Sequence, residues 1–268
     1  MLRKKIKSVS IILPAYKQEK TIVKDIKRLE KYLSGLSMPH ELIVVVDGLE
    51  DDTYKKAKTL KNKNIKVLFY KNNYGKGYAV RYGMLKAKGD VIGFIDAGMD
   101  LDVSGIGILL NYMQLHDADI VIGSKLHPDS VVEYPIQRKI LSWGYRTITR
   151  ILFGFGVKDT QVGLKLFKRK VVKEVFPRLA VKRFAFDVEI LAVSHARGYR
   201  NIHEAPVRLK FSWGSTISSF ASLNFWKIII SMLWDTAAVF YRLRILRFYD
   251  KPELKKKKIR SARKRLIS

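Results

Sequence analysis

The chain has 268 residues, 47% of them hydrophobic, which excludes a disordered chain and allows one large α/β domain with a buried core. It contains no cysteine, which excludes disulfides, thiolate metal sites and a cysteine nucleophile. Its 52 Lys and Arg against 24 Asp and Glu give a net charge of +28, which favours polyanionic partners such as nucleic acid, anionic lipid or a phosphorylated substrate.

Short apolar runs alternate with amphipathic stretches in the first half of the chain. Strands are predicted at five of these runs: Ser8–Leu13, Glu41–Val46, Ile65–Phe69, Val91–Ile95 and Ile120–Ile122. The stretches between them carry helical spacing, clearest in one apolar stripe: Ile22, Ile26, Leu29 and Leu33. Strands alternating with helices predict an α/β fold, a mostly parallel sheet with right-handed crossovers and helices on both faces.

Polar loops follow three of the predicted strands. PAYKQEK follows the first strand, DGLEDDT the second and DAGMDLD the fourth. Because ligands of such sheets lie beyond the carboxyl ends of the strands, these loops are expected to share one ligand-binding edge. The connection after the third strand, NNYGKGYAVRYG, adds three glycines and two cations at a helix start, where backbone amides suit phosphate. Together the loops indicate a diphosphate held partly by a metal ion.

The second half of the chain predicts two more helices and a strand. The first helix spans Gln137–Leu152, and four residues are assigned to its buried face: Ile140, Gly144, Ile148 and Ile151. The second helix ends near Gly198, where glycine can terminate it, and Asn201–Phe211 follows as a strand.

The segment Leu223–Leu246 is densely apolar but is interrupted by charges at Lys227, Asp235, Arg242 and Arg244. This pattern favours one or two helices lying in a membrane interface over a spanning helix, with a helical hairpin packed on the core as the alternative. From Arg242 onward, twelve Lys and Arg against two acidic residues give a net charge of +10, which suits an anionic membrane surface.

These patterns predict three regions: a catalytic domain at 1–220, amphipathic membrane-surface helices at 221–250 and a basic tail at 251–268. No signal peptide and no spanning helix are expected, since the apolar run near the N-terminus is short and contains Pro14. Peripheral attachment to the cytoplasmic face of a membrane is the predicted location.

The order of short motifs along the chain resembles that of the inverting family-2 glycosyltransferases. The motifs are SIILPAY, VVVDGLEDDT, NNYGKGYAVRYGM, GDVIGFIDAGMD, IGSK, RKILS, DTQVGLKLF, RFAFDVEIL and EAPV, from about residue 8 to 215. Within that family the chain looks like the dolichyl-phosphate sugar synthases, and DTQ-G-K-F and F-D-V-E resemble their glucosyltransferase branch more than the mannosyl branch. The resemblance implies a GT-A fold, a divalent metal, a nucleotide-sugar donor and a lipid-phosphate acceptor.

The chain departs from the family pattern at two places. The second strand of the family usually ends in VDDGS, whereas Val46 stands here at the first Asp position and Leu49 replaces the Ser. The family's D-x-D metal motif reads Asp96-Ala97-Gly98, without the second carboxylate. Asp96 and Asp100 are therefore predicted to hold Mg²⁺ or Mn²⁺ together with the nucleotide diphosphate. An inactive relative is the alternative.

The resemblance implies a donor site after the first four strands. The expected donor-binding residues are Pro14, Ala15, Tyr16, Glu19, Asp47, Gly75, Lys76 and Asp96. Asp47 is expected near the base and ribose, with a turn residue as the alternative, and Lys76 near the diphosphate, with a solvated helix start as the alternative. Asp96 is the first catalytic candidate, because a strand-end Asp lies where such sheets hold ligands.

The acceptor side is implied by the later motifs. Lys125 and Arg138 match basic positions for the acceptor phosphate and are the other catalytic candidates, although Arg is usual at the first of them. Four residues are expected to contact sugar or acceptor: Asp159, Gln161, Asp187 and Glu189. A helix cap is the alternative for Asp187.

The predicted function is metal-dependent, inverting transfer of a hexose, glucose from UDP-glucose, to dolichyl or polyprenyl phosphate. The alternatives are a GDP-mannose-dependent polyprenyl-phosphate mannosyltransferase, a family-2 enzyme with a non-lipid acceptor, and a non-catalytic basic protein that binds nucleic acid or membrane. The last of these explains only the net charge and leaves the acidic loops without a role. No specific nucleic acid is expected as a partner.

Overall fold

A seven-stranded sheet forms the centre of the molecule in a computed structural model, which describes residues 5–98, 101–133, 136–183, 185–210 and 223–250. The strands are β1 Val9–Ala15, β2 His40–Asp47, β3 Ile65–Tyr70, β4 Val91–Ile95, β5 Ile120–Ser124, β6 Val131–Glu133, β7 Leu164–Lys168, β8 Ile202–Pro206 and β9 Arg208–Lys210. The helices are α1 Ile22–Ser34, α2 Thr53–Lys58, α3 Lys76–Met84, α4 Gly105–Leu115, α5 Ile136–Phe153, α6 Arg169–Val175, α7 Phe186–Ala196 and α8 Leu223–Arg244.

The central sheet has the strand order β3-β2-β1-β4-β7-β5-β8, while β6 and β9 pair separately as a two-stranded parallel sheet. All neighbours in the central sheet are parallel except β7, which runs antiparallel between β4 and β5. The five predicted strands and the mostly parallel sheet are confirmed. The predicted single strand Asn201–Phe211 was wrong, because β8 and β9 belong to different sheets.

Two hydrophobic layers cover the sheet. Helices α1, α2 and α4 pack on one face, where the predicted stripe of α1 is buried. Helices α3, α6 and α7 pack on the other face, and parts of α5 and α8 extend that layer. Strand β3 lies at the edge of the sheet and leaves Phe69 43% exposed.

The buried face of α5 differs from the predicted one. Ile148 and Ile151 are 40% and 77% exposed, whereas Tyr145, Thr149 and Phe153 are buried. The hydroxyl oxygen of Tyr145 lies 2.7 Å from that of Thr236 on α8. Helix α5 carries apolar residues on more than one stripe, and its tertiary partner α8 decides which stripe is buried.

The segment predicted to lie in a membrane interface contains one long helix, α8, rather than a hairpin. Its inner face packs on the core through buried Thr236 and Val239. Its outer face exposes Ile230, Trp234 and Tyr241 by 64%, 76% and 52%. Within the described part of the chain, no helix has both the length and the apolar character needed to cross a bilayer. The basic tail at 251–268 lies outside the described residues.

Candidate active site

A cavity of ≈ 420 Å³ opens at the carboxyl ends of β1, β2 and β4. Seven of the eight predicted donor-binding residues line it: Pro14, Ala15, Tyr16, Asp47, Gly75, Lys76 and Asp96. Glu19 is outside this lining, where its carboxylate accepts a hydrogen bond from the Asp52 backbone and ties the loop after β1 to the loop after β2. The strand-end rule therefore placed the cavity correctly.

Asp47 at the end of β2 holds the glycine loop that precedes α3. Its Oδ1 and Oδ2 accept hydrogen bonds of 2.8 Å from the backbone N–H groups of Tyr74 and Gly75. Gly75 has φ +95, and a Cβ there would lie 2.7 Å from the carbonyl oxygen of Lys182, so the loop requires glycine. Asp47 thus positions the glycine loop, which agrees with the alternative that it has a structural role. A contact of Asp47 with the nucleotide stays a prediction.

Asp96 at the end of β4 is paired with Lys76, the first residue of α3. The Lys76 Nζ atom lies 2.6 Å from Oδ1 and 2.7 Å from Oδ2 of Asp96. Burial alone would lower the pKa of Lys76, but the charges of Asp96 and Asp187 outweigh it and the pKa is raised. Lys76 is therefore a charged ammonium group on the wall of the cavity.

Gly163, in the loop before β7, makes room for the Asp96 side chain. Its carbonyl accepts a 2.9 Å hydrogen bond from the Asp96 backbone, and a Cβ at this position would fall on the Asp96 carboxylate. Gly163 is the glycine of the motif DTQVG, but its role was not predicted from the sequence. The close approach of Gly163 to Asp96 depends on the antiparallel pairing of β7 with β4.

A second ion pair lies in the core next to the first. Lys165 Nζ is 2.5 Å from Asp187 Oδ1 and donates a 2.6 Å hydrogen bond to the carbonyl of Val162. Both side chains are buried, and burial lowers the pKa of Lys165 and raises the pKa of Asp187. The structure thus places Asp187 with Lys165 inside the core and does not bring it to the cavity wall.

Glu189 on α7 is also away from the cavity. It is 0% exposed and accepts hydrogen bonds from the backbone N–H groups of Ala180 and Val181 and from the Tyr249 hydroxyl. Burial raises the pKa of Glu189. A sugar contact would require these buried donors to be given up, so the geometry assigns Glu189 to anchoring the residues after α8.

Replacing Tyr249 by Phe is expected to lower the free energy of unfolding by about 1–3 kcal/mol, because the buried Glu189 loses an O–H donor. Urea denaturation measures this change. The matched control is Tyr241→Phe, since Tyr241 is 52% exposed on α8; its effect is expected to stay within about 0.5 kcal/mol. Equal effects of the two substitutions would contradict the anchoring role.

Lys125 and Asp159, which were assigned to phosphate and sugar separately, form an ion pair beyond the end of β5. The Lys125 Nζ atom lies 2.9 Å from Asp159 Oδ2, and the backbone N–H groups of Lys125 and Gln161 also donate to this carboxylate. Burial raises the pKa of Asp159, but the Lys125 charge and these hydrogen bonds together hold it below its ordinary value. Asp159 is 2% exposed, so its evident role is to position Lys125.

The remaining acceptor-side residues are only partly placed. Gln161 donates from Nε2 to the sulfur of Met232 on α8 at 3.4 Å. Arg138 belongs to α5, but its side chain lies outside the described residues. Asp100 lies outside them as well.

The metal site implied by the resemblance does not fit the residues that the structure describes. Asp96 is the one strand-end carboxylate of the cavity that backbone N–H groups do not occupy, and its charge is already paired with Lys76. Its Oδ2 accepts a hydrogen bond from Lys76, whereas its Oδ1, 2.6 Å from the same nitrogen, is buried without a hydrogen bond. Across the described ranges, no group of three or more His, Asp or Glu side chains is arranged to hold a metal ion. The Gly98 position lacks the second carboxylate of D-x-D, and no catalytic step is derived through a metal.

Five further residues line the cavity and were not predicted as donor-binding residues: Gln18, Asn73, Ala79, Ala97 and Arg183. Arg183 lies on the exposed rim, with its Cγ 3.1 Å from where a Cβ would stand at Gly75. It is the first residue of the motif RFAFDVEIL, but nothing local distinguishes it from the other 51 Lys and Arg residues of the chain.

The solved structure of glucosyl-3-phosphoglycerate synthase from Mycobacterium tuberculosis, in complex with Mn²⁺, UDP and phosphoglyceric acid, is similar to this fold. The TM-score is 0.65 at 18% identity, and the match covers 88% of this chain and 78% of that one. The mostly parallel sheet flanked by helices and this structural likeness identify the fold as the GT-A fold of glycosyltransferases, which confirms the predicted fold class.

The model of the family described as glycosyl transferase family 2 matches residues 10–176. The chain is 32% identical to dolichyl-phosphate beta-glucosyltransferase of Dictyostelium discoideum, covering 80% of this chain and 70% of the relative. It is 33% identical to dolichyl-phosphate beta-glucosyltransferase ALG5D of Trichomonas vaginalis, covering 91% and 76%. The protein belongs to glycosyl transferase family 2 and is a glycosyltransferase, which removes the non-catalytic alternative.

Proposed function

We propose that this enzyme transfers glucose from UDP-glucose to dolichyl or polyprenyl phosphate, with inversion at the anomeric carbon. The observation that carries the proposal is the cavity at the strand ends, with Asp96 and Lys76 on its wall and the Asp47-held glycine loop beside them. The relatives named dolichyl-phosphate beta-glucosyltransferase match most of the chain and support glucose and the lipid phosphate. The UDP bound to the similar solved structure supports the nucleotide.

The transfer is a displacement at the sugar's anomeric carbon. An oxygen of the acceptor phosphate forms the new bond while the bond to the nucleoside diphosphate breaks, and the diphosphate leaves with the electron pair. A phosphate monoester has its second pKa near about 6, so the acceptor is already mostly dianionic and requires orientation more than a general base. Lys125, positioned by Asp159, and Arg138 are the proposed acceptor-side cations.

The leaving diphosphate accumulates negative charge, which cations on the cavity wall stabilise. Lys76 and Arg183, which line the cavity, are the proposed donor-side cations. The Mn²⁺ in the similar solved structure is in favour of the Mg²⁺ or Mn²⁺ predicted at Asp96 and Asp100, but Asp96 is paired with Lys76 in this chain, so the proposal includes no metal ion. The steps above do not depend on that ion.

Apolar side chains exposed on α5 and α8 support attachment to an anionic membrane surface. Trp143 and Ile151 on α5 are 64% and 77% exposed, and Ile230 and Trp234 on α8 are 64% and 76% exposed. Arg146 and Arg150 lie on the same helix α5, and the basic tail follows α8. Tryptophan beside Lys and Arg is typical of a helix in the headgroup layer. The cytoplasmic face of a membrane is the proposed location.

Replacing Ile230 and Trp234 together by Glu is expected to weaken binding to phosphatidylserine vesicles at least tenfold, because two apolar contacts are lost and two charges repel the lipid. Vesicle co-sedimentation at constant salt measures this. The control is Leu115→Glu, which changes a 56% exposed residue on α4. The variant adds two negative charges and the control adds one. If each added charge weakens binding by the same factor in both proteins, net charge alone holds the protein to the membrane.

A donor panel tests the proposed substrate. Purified protein is incubated with a short polyprenyl phosphate and UDP-glucose, UDP-galactose or GDP-mannose, with and without Mn²⁺, and glycolipid is measured by mass spectrometry. We expect a hexosyl product from UDP-glucose alone. Product from GDP-mannose would support the mannosyltransferase alternative instead, and no product from any donor would support the inactive relative suggested by Gly98.

A further inference from the structure

The Asp96–Lys76 pair puts a cation of the chain itself where the family pattern implies a metal ion. The ammonium group is within 2.7 Å of both Asp96 oxygens. We propose that Lys76 supplies the positive charge that holds the donor diphosphate, so that UDP binds to this protein without a divalent metal. The inference rests on the proposed function for its donor, and it adds where the charge for binding that donor comes from.

The ammonium group of Lys76 retains capacity for a diphosphate. An ammonium has three N–H donors, and its hydrogen bond to Asp96 Oδ2 leaves two of them, since Oδ1 lies 2.6 Å away but accepts no hydrogen bond. Lys76 lines the cavity, and its side chain is 23% exposed. The Asp96 carboxylate holds the Lys76 side chain beside the space that a donor would enter. Binding of the donor therefore costs the Lys76 side chain little conformational freedom.

The carboxylates around Asp96 already have ammonium partners. Asp96 pairs with Lys76, and Asp187 pairs with Lys165 behind it. A divalent ion on Asp96 would add two positive charges next to Lys76, with Lys165 close behind, and would have to displace the ammonium. A nucleoside diphosphate brings negative charge instead, which this cluster and the rim attract.

Arg183 provides a second cation at the same cavity. Its side chain is exposed on the rim beside Gly75, and it forms no ion pair with any residue that the structure describes. Gly98, where the family pattern has a carboxylate, would place a Cβ within 4 Å of nothing described. The described wall therefore offers two cations and two carboxylates, of which Asp47 accepts backbone hydrogen bonds and Asp96 is paired with Lys76, which is a set for binding an anion.

Calorimetric titration of UDP in EDTA tests the inference. Wild-type protein is expected to bind UDP in EDTA with an affinity within tenfold of that in Mn²⁺. Lys76→Met is expected to lose at least tenfold in EDTA, since a charge-assisted hydrogen bond is removed, and Lys76→Arg to recover part of it. The control is Lys182→Met, which removes an exposed cation that lies over the Tyr74 ring outside the cavity lining and is expected to change affinity less than twofold.

A second readout does not depend on nucleotide. Electron paramagnetic resonance of Mn²⁺ without UDP is expected to show at least threefold tighter binding to Lys76→Met than to wild type, because Asp96 is released. UDP binding by the wild type only in the presence of Mn²⁺, or equal UDP affinities of wild type and Lys76→Met in EDTA, would overturn the inference and leave the proposed transfer standing. Absence of UDP binding under both conditions would contradict the proposed donor itself.

Discussion

Replacing Asp96 by Asn is expected to lower kcat/KM for glucosyl transfer at least 100-fold, which corresponds to about 2.7 kcal/mol of transition-state stabilisation. The substitution keeps the shape of the side chain and removes its charge. Lys76 then loses the carboxylate that holds it at the cavity wall. Initial rates of glycolipid formation at several UDP-glucose concentrations give this ratio.

The control for this substitution is Asp102→Asn, six residues further along the chain. Asp102 accepts a 2.8 Å hydrogen bond from the Ser104 backbone at the start of α4 and does not line the cavity. It is expected to keep kcat/KM within threefold of wild type and to change stability by less than about 0.5 kcal/mol, since Asn keeps an oxygen that can accept this hydrogen bond. Full activity of Asp96→Asn, or equal losses from both substitutions, would remove Asp96 from the site.

Replacing Gly163 by Ala is expected to reduce kcat/KM at least 30-fold, although the substitution adds only one methyl group. The new Cβ would fall on the Asp96 carboxylate, so Asp96 has to leave the position in which it pairs with Lys76. Overpacking of this kind also costs about 1–3 kcal/mol of folding free energy. Activity is measured by the same assay, and thermal unfolding checks that the variant is folded at the assay temperature.

The matched control for Gly163→Ala is Gly156→Ala, since a Cβ at Gly156 would meet nothing within 4 Å and the glycine needs no left-handed backbone. This variant is expected to be as active as wild type. An active, folded Gly163→Ala would show that the Asp96 carboxylate can move without consequence. Such a result would contradict the geometry derived for the donor cavity.

The central strands were predictable because their residues are apolar on both faces, as in β4. Strand β7 was not predicted, because its sequence LKLFK alternates Lys with apolar residues and reads as partly exposed. The structure nevertheless buries Lys165 completely, since Asp187 lies 22 residues away in sequence and next to it in space. No local pattern contains that information.

The same limit explains how far the site could be predicted. The strand-end rule found the cavity wall, including Asp47 and Asp96, from sequence alone. The pairings Lys76–Asp96 and Lys125–Asp159 join residues 20 and 34 positions apart, and they decide which groups face a substrate. Side chains that looked like separate contacts in the sequence, such as Lys125 and Asp159, are partners in the fold.

The acceptor gives the most direct test of the central claim, which is transfer of glucose to a lipid phosphate. Wild-type protein is incubated with radiolabelled UDP-glucose and equal concentrations of polyprenyl phosphate and 3-phosphoglycerate, and the butanol and water phases are counted after extraction. We expect label in the butanol phase as glucosyl phosphate lipid, and its loss in Asp96→Asn. Label in water-soluble glucosyl phosphoglycerate, with none in lipid, would contradict transfer to a lipid phosphate.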